Sequence, residues 1–120
     1  MPSTLIVDDD TDIRSLVRMV IERANDGLEV VGEAADGYEA LRLWADCQPD
    51  AVVLDQEMPG MSGMEVARII LSERPEQTII MFTAHTGSPE LGSAVESGVR
   101  AVLDKQQWSS LVDTIRSHLR

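Results

Sequence analysis

The sequence has little cysteine and no long apolar run, and each of these shortages excludes a class of protein. Its one cysteine, Cys47, cannot form an internal disulfide, so the chain is suited to a reducing compartment rather than to a disulfide-stabilised scaffold. No apolar run approaches the ~18 residues that a membrane-spanning helix needs. The first residues lack the basic and apolar segments of a secretory signal. We therefore expect a cytoplasmic protein that makes no membrane contact.

Basic residues are also scarce, because 10 Lys and Arg residues face 21 Asp and Glu residues and leave a formal net charge of −11. Nucleic-acid binding needs clustered Lys and Arg side chains against the phosphates, so we predict no direct nucleic-acid contact by this segment. A chain of 120 residues with 43% hydrophobic content can bury one continuous core. No internal repeat or linker is recognisable. We expect a single domain over residues 1–120.

Five short apolar runs alternate with five segments of helical periodicity. The runs are rich in strand-forming residues and end at polar or turn residues; they cover residues 4–8, 28–31, 50–55, 78–83 and 100–104. Strands joined by helical connections of this length form a parallel sheet through right-handed crossovers, with helices on both faces. The predicted fold class is therefore α/β, a doubly wound (βα)5 arrangement.

Capping residues and apolar periodicity predict where the helices begin and which residues they bury. The expected N-caps are Asp10 or Thr11, Asp36, Ser62 and Ser88, the last followed by a proline at the first helical position. We expect the second helix to bury Leu41, Trp44 and Ala45, and the fourth to bury Leu91, Ala94, Val95 and Gly98. The last helix is expected to bury Trp108, Leu111, Val112, Ile115 and Leu119.

Five polar residues follow or close the predicted strands. Asp8 and Asp9 follow the first, Asp55 the third, Thr83 closes the fourth, and Lys105 follows the fifth. In an open parallel sheet, ligands bind at the edge formed by the carboxyl ends of the strands. Any one of these residues alone would be explained as a strand end or a cap. Together they predict a functional site at that edge.

The chemistry of this set follows from its charges. Two carboxylates at 4 Å repel by about 4 kcal/mol at an effective dielectric constant near 20. Lys105 supplies one compensating positive charge, and a divalent cation would supply two more. Because the motif offers oxygen ligands and neither His nor Cys, Mg²⁺ is favoured, with Mn²⁺ as a substitute. With Thr83 as a hydrogen-bond donor and Asp55 as an in-line nucleophile, the set suits phosphoryl transfer that yields an aspartyl phosphate.

The same residues occur in an order and spacing typical of a known family. The matching motifs are Asp8-Asp9 after the first strand, Asp55 before the run at 58–63, Thr83-Ala84 after the fourth strand, and Lys105. On these motifs the chain resembles, across essentially its whole length, the receiver domain of bacterial two-component response regulators.

The resemblance implies a fold, an activity and partners. The fold would be flavodoxin-like, with strand order 2-1-3-4-5. The domain would not be an enzyme in its own right; it would be a signalling domain that assists its own phosphorylation and dephosphorylation. Its phosphoryl donor would be a phosphohistidine on a sensor histidine kinase or a phosphotransfer protein. A homodimer would form through the face of the fourth helix, fifth strand and fifth helix.

The resemblance also implies a role for each site residue. Asp55 would be the phosphoacceptor, Thr83 the switch hydroxyl and Lys105 the cation that pairs with the phosphoryl group. The Mg²⁺ ligands would be Asp9 and Asp55 directly, Glu57 through its backbone carbonyl, and Asp8 mostly through water.

The chain departs from the family pattern at several positions. Gln106 follows Lys105 where the family usually has proline, and Val102 stands where the family has a switch aromatic. Glu57 and His85 occupy positions whose side chains tune dephosphorylation in the family. Because Val102 has no ring to reorient, we expect Thr83 and the loop at 84–89 to carry the response to phosphorylation.

Three other functions are consistent with parts of the pattern. A haloacid-dehalogenase-type phosphohydrolase also uses an aspartate at a strand end, but it carries a second Asp two residues on, where this chain has Glu57, and no sequence remains for a substrate cap. A flavin carrier of the same fold would need a phosphate cradle where the acidic run 8–10 would repel phosphate. A receiver-like protein-binding module that is not phosphorylated would not need the full set of site residues.

Overall fold

The computed structural model describes residues 1–119, which form a five-stranded parallel sheet with helices on both faces. The strands are β1 Ser3–Val7, β2 Glu29–Ala34, β3 Ala51–Leu54, β4 Thr78–Thr83 and β5 Ala101–Asp104. The α-helices are α1 Thr11–Ala24, α2 Gly37–Cys47, α3 Gly63–Glu73 and α4 Leu111–Ser117. Two 3-10 helices cover Pro89–Ser93 and Lys105–Ser110.

The strand order β2-β1-β3-β4-β5 confirms the predicted doubly wound, flavodoxin-like fold. Successive residues of a strand point to opposite faces of the sheet, so each strand contributes side chains to the hydrophobic cores on both faces. Val52 and Leu54 of β3 pack on the side of α2 and α3, whereas Ala51 and Val53 pack on the side of α1 and α4. Burial on both faces explains why the strands are continuous apolar runs rather than alternating ones.

Short polar side chains cap the N-termini of the first three helices, as the sequence predicts. Asp10 accepts hydrogen bonds from the backbone N–H groups of residues 12 and 13, and Asp36 accepts one from that of residue 39. Ser62 and Glu65 form a reciprocal capping box at the start of α3. These caps fix where the chain leaves each site loop and enters its helix. No described helix combines the length and apolarity needed to cross a membrane.

The segment after β4 differs from its prediction. Instead of a full fourth α-helix, a 3-10 helix at Pro89–Ser93 is followed by turns up to residue 98. Leu91 and Ala94 are buried as predicted, but Val95 is 62% exposed and Gly98 has φ of +113°, outside helical geometry. Residues 88–98 contain two glycines and three serines, which are poor helix formers, so packing of two apolar side chains does not extend the helix.

Two further burial predictions are wrong. Trp108 is 47% exposed because it lies in the 3-10 helix that precedes α4, where three residues complete a turn and the ring falls outside the buried row of α4. Ala45 is exposed because the buried residues of α2 run through Ala40 and Trp44. β2 also extends to Ala34, beyond the predicted end at residue 31, because it pairs with β1 along its length.

Gly63, the first residue of α3, lies against the backbone of the loop that follows β3. Its N–H donates to the Gln56 carbonyl at 2.9 Å, and a Cβ here would overlap the Asp55 carbonyl and lie 2.9 Å from Gln56 Cα. The close approach of helix and loop therefore requires glycine.

We predict that Gly63→Ala lowers the free energy of unfolding by about 2 kcal/mol or more, because the backbone of the loop has to move. Gly92→Ala is the matched control, since a Cβ at Gly92 meets no atom within 4 Å and should change stability by less than about 0.5 kcal/mol. Urea unfolding followed by circular dichroism measures both. Equal effects of the two substitutions would contradict the close contact at Gly63.

Candidate functional site

The strand register brings the predicted site residues to one edge of the sheet. Val7, Leu54 and Met81 are aligned across β1, β3 and β4. Asp8 and Asp55 therefore leave the sheet side by side, and Thr83 closes β4 next to them. Thr83 pairs with Asp104 of β5, which places Lys105 directly after the same edge. The convergence expected from the sequence is present in the structure.

Lys105 bridges two buried carboxylates. Its Nζ lies 2.7 Å from Asp8 Oδ2 and 3.3 Å from Asp55 Oδ2. Asp8 and Asp55 are 2% and 3% exposed, so their charges are largely removed from water and need a cation or hydrogen-bond donors. Asp9 is exposed, yet it offers a carboxylate oxygen in a group with Asp8 and Asp55 whose members lie within 4.8 Å of one another.

The electrostatics of the site shift two pKa values. Burial raises the pKa of Asp8 above its ordinary value, although hydrogen bonds from Lys105 and from the Asp10 backbone oppose the shift. Burial alone would lower the pKa of Lys105, but its hydrogen bond to Asp8 and the charge of Asp55 outweigh that effect and raise it. Lys105 is thus held as a cation, and it offsets part of the repulsion between the two carboxylates.

One oxygen of the site has no hydrogen-bond partner among residues 1–119. Asp55 Oδ1 is buried and accepts no hydrogen bond from any described residue, while Oδ2 of the same carboxylate faces Lys105. An unsatisfied buried carboxylate oxygen is costly, and it is rare where no ligand binds. The oxygen-only donor set of Asp8, Asp9 and Asp55 matches the ligand preference of a hard divalent cation, so these residues fit Mg²⁺.

The other residues that the sequence singled out are Thr83, Glu57, His85 and Val102. Thr83 is fully buried, and its Oγ1 accepts a hydrogen bond from the His85 backbone N–H at 3.1 Å. Glu57 lies two residues after Asp55 with its side chain exposed, outside the cluster of carboxylates. The His85 side chain is exposed, and Val102 is partly buried against the core on the side of α2 and α3.

Arg14 was not among the predicted site residues, yet it holds the loop that carries Asp8 and Asp9. Its Nη1 donates to the Asp8 carbonyl at 2.6 Å, and its Nε contacts Glu33 of β2 at 3.3 Å. Arg14 lies in the first turn of α1, where the helix dipole disfavours a cation. In the sequence, a cation at this unfavourable position indicates that Arg14 has a partner elsewhere in the fold.

Sequence analysis also gave no role to Gln56, the residue after Asp55. Its side chain is 3% exposed, accepts a hydrogen bond from the Met64 N–H at 2.9 Å, and donates to Glu90 at 2.6 Å. A polar residue at the end of a buried strand was the only sequence signal. Its partner Glu90 is 34 residues away, so local pattern could not reveal the contact.

Comparison with known proteins identifies the family. The family model described as "Response regulator receiver domain" matches residues 4–116. Among curated proteins, the chain is 41% identical over 115 residues to protein-glutamate methylesterase/protein-glutamine glutaminase 3 of Hahella chejuensis, covering 91% of this chain and 31% of that protein. It is 34% identical over 118 residues to the response regulator UvrY of Escherichia coli, covering 98% of this chain and 54% of UvrY. The chain thus spans about half or less of the length of these relatives.

Solved structures agree over nearly the whole chain. The response regulator domain of Thermotoga maritima CheB superposes with a TM-score of 0.90 at 26% identity, covering 99% of this chain and 96% of that one. A LuxR-family DNA-binding response regulator from Staphylococcus aureus gives a TM-score of 0.91 at 27% identity, with 100% of both chains covered. The motifs, the strand order and these comparisons agree: the chain belongs to the response regulator receiver domain family of two-component signalling.

Proposed function

We propose that residues 1–120 form one signalling domain that accepts a phosphoryl group on Asp55. The observation that carries the proposal is the asymmetry of the Asp55 carboxylate. Its Oδ2 faces Lys105, whereas its Oδ1 is buried and unpartnered within the described residues. A carboxylate held through one oxygen presents the other as the nucleophile.

The proposed reaction transfers the phosphoryl group from a phosphohistidine. The N–P bond of the donor breaks as an O–P bond to Asp55 forms, and the imidazole keeps the electron pair and takes up a proton. Lys105 would neutralise charge on the phosphoryl oxygens, and the Thr83 hydroxyl would donate a hydrogen bond to one of them. The Thr83 hydroxyl at present accepts a hydrogen bond from the His85 backbone N–H and keeps its own proton for this donation, so a movement of Thr83 toward the phosphoryl group would act on the loop at residue 85 through that contact.

Asp8, Asp9, Asp55 and the Glu57 backbone carbonyl would hold Mg²⁺, with Mn²⁺ as a substitute. When bound, the ion neutralises charge on the acidic cluster and on the phosphoryl oxygens. The carboxylate oxygens of Asp8, Asp9 and Asp55, which lie within 4.8 Å of one another, support this assignment.

The partners follow from the same proposal. The phosphoryl donor would be a sensor histidine kinase or a phosphotransfer protein in the cytoplasm. The phosphorylated domain would pair with a second copy through the face formed by the segment after β4, by β5 and by the final helix, and this segment would make no direct nucleic-acid contact. A binding module that is never phosphorylated is the second candidate, and the full complement of Asp55, Thr83 and Lys105 weighs against it.

The proposal predicts metal-dependent labelling of one residue. Incubation with acetyl phosphate and Mg²⁺ should add a single phosphoryl group, and Asp55→Asn should abolish the adduct. Asp46→Asn, on the exposed side of α2, is the matched control and should be labelled normally. Intact-mass spectrometry measures the adduct.

Three results would contradict the proposal or a part of it. Labelling of Asp55→Asn would show that another residue is the acceptor. Undiminished labelling in EDTA would remove the metal from the reaction, and no labelling of the wild type by either acetyl phosphate or a phosphohistidine donor would favour the second candidate.

Arg14 and Arg18 allow a matched test of the acidic loop. Both contact Glu33, at 3.3 Å and 2.6 Å, but only Arg14 also donates to the Asp8 carbonyl. We predict that Arg14→Gln weakens Mg²⁺ binding about tenfold, because groups that orient ligands contribute on this scale. Arg18→Gln should leave the dissociation constant nearly unchanged.

The measurement is a Mg²⁺ titration followed by the amide resonance of Asp9. Removal of a positive charge near the site would by itself tighten Mg²⁺ binding. Tighter binding by Arg14→Gln would therefore show that Arg14 acts through its charge and not by holding the loop.

A further inference from the structure

Gln56 lies between Asp55 and Glu57, the two proposed ligands on the loop after β3, and its side chain is bonded at both ends. Its Oε1 accepts from the Met64 N–H in the first turn of α3 at 2.9 Å. Its Nε2 donates to Glu90 Oε1 at 2.6 Å, and its backbone carbonyl accepts from the Gly63 N–H at 2.9 Å. Gln56 is thus fixed to two separate parts of the chain.

Glu90 comes from the 3-10 helix after β4 and is itself held by three side chains. Besides Gln56, it accepts hydrogen bonds from Ser62 Oγ at 3.2 Å and from Arg68 Nη1 at 3.1 Å. Burial would raise the pKa of Glu90, but the hydrogen bonds from Gln56, Ser62 and Arg68 outweigh it and lower the pKa. Glu90 is therefore ionised at neutral pH, and its bond to Gln56 is charge-assisted.

The segment that carries Glu90 is exposed at its start and anchored in the core at its end. Residues 84–87 are exposed, and the 3-10 helix is closed by bonds such as Leu91 N–H to the Ser88 carbonyl at 3.0 Å. Leu91 and Ala94 anchor it in the core on the side of α2 and α3. Short 3-10 segments of this kind are held by their contacts rather than by their own hydrogen bonds.

We propose that the hydrogen bond between Gln56 and Glu90 holds the backbone of residues 55–57 in the conformation that binds the metal. Gln56 and Glu90 would be positioning residues, since neither is a proposed ligand. The inference rests on the proposed function and extends it to a residue on the segment after β4. Holding the loop before the ion arrives lowers the ordering cost of binding, so loss of the bond weakens affinity.

The coupling also works in the opposite direction. If the segment after β4 favours metal binding, then metal binding must stabilise that segment by the same factor. The Gln56–Glu90 bond therefore connects the phosphoacceptor loop directly to residues 89–94. This connection does not pass through Val102, which lacks the aromatic ring of the family pattern.

The decisive experiment measures the Mg²⁺ dissociation constant of four proteins by the amide resonances of Asp9 and Glu57. Wild type is compared with Glu90→Ala, Glu90→Gln and Arg68→Gln. Glu90→Ala removes the acceptor of the Gln56 amide, and we expect about fivefold weaker binding, at the low end of usual coupling factors. Glu90→Gln keeps an acceptor oxygen and should stay within about twofold of wild type.

The Arg68→Gln variant distinguishes an effect of the Glu90 hydrogen bond from an effect of the Glu90 charge. Arg68 is half exposed and contacts Glu90, and among the described residues it forms no hydrogen bond with Gln56, so this variant should bind Mg²⁺ about as wild type does. If Glu90 acted only through its charge, Glu90→Ala and Glu90→Gln would weaken binding equally, and Arg68→Gln would strengthen it. That pattern would overturn the inference, as would an unchanged constant in Glu90→Ala.

Hydrogen exchange tests the reciprocal effect. Saturating Mg²⁺ should slow exchange at the Leu91 and Ala94 amides of the wild type, and this protection should be absent in Gln56→Leu. If Gln56→Leu is not folded, Glu90→Ala serves for the same comparison, because Glu90 is only partly buried whereas Gln56 is buried. Protection that persists in the variant would overturn the inference.

The outcomes separate this inference from the proposed function. A wild type that binds no Mg²⁺ would overturn both. Normal binding and labelling of the wild type, with no effect of Glu90→Ala, would leave the proposed function intact and overturn only the positioning role of Gln56 and Glu90.

Discussion

The contact of one ammonium group with two buried carboxylates governs this edge of the sheet. Asp8 and Asp55 leave adjacent parallel strands in register, so they are forced together whenever the sheet forms. Lys105 Nζ lies 2.7 Å and 3.3 Å from them and offsets their repulsion only in part, because two negative charges and the exposed Asp9 face a single positive one. Charge therefore remains uncompensated at this edge, and Asp55 Oδ1 has no partner among the described residues, which is why the site is suited to a divalent cation.

The loops that carry these carboxylates are held from outside the site. Arg14 of α1 holds the Asp8 carbonyl, and Gly63 at the start of α3 allows the helix to lie against the Asp55 carbonyl. Glu90 reaches Gln56 from the segment after β4. The acidic residues are therefore set in place by contacts to three other segments, and a change at the site can reach each of them.

The segment after β4 is the part of the fold where local sequence preference and tertiary packing disagree. Apolar residues at helical spacing predict a helix, but Gly92, Gly98 and the serines reduce its intrinsic stability. The chain keeps Leu91 and Ala94 in the core and leaves Val95 in solvent. A segment that depends on a few contacts is well suited to change conformation when one of those contacts changes.

The sequence alone was enough to predict the alternation of strands and helices, the parallel sheet and the convergence of Asp8, Asp55 and Lys105 at one edge. Buried strands and capping residues leave a local pattern, and parallel strands end at one edge. It could not determine the partners of Arg14 and Gln56, since each bonds to a residue distant in sequence. It also misplaced Trp108 and Ala45, whose exposure depends on helix geometry and on the neighbouring elements. Only the tertiary structure decided these points, because hydrogen bonds between separate segments follow from how the chain packs and leave no periodic trace in the sequence.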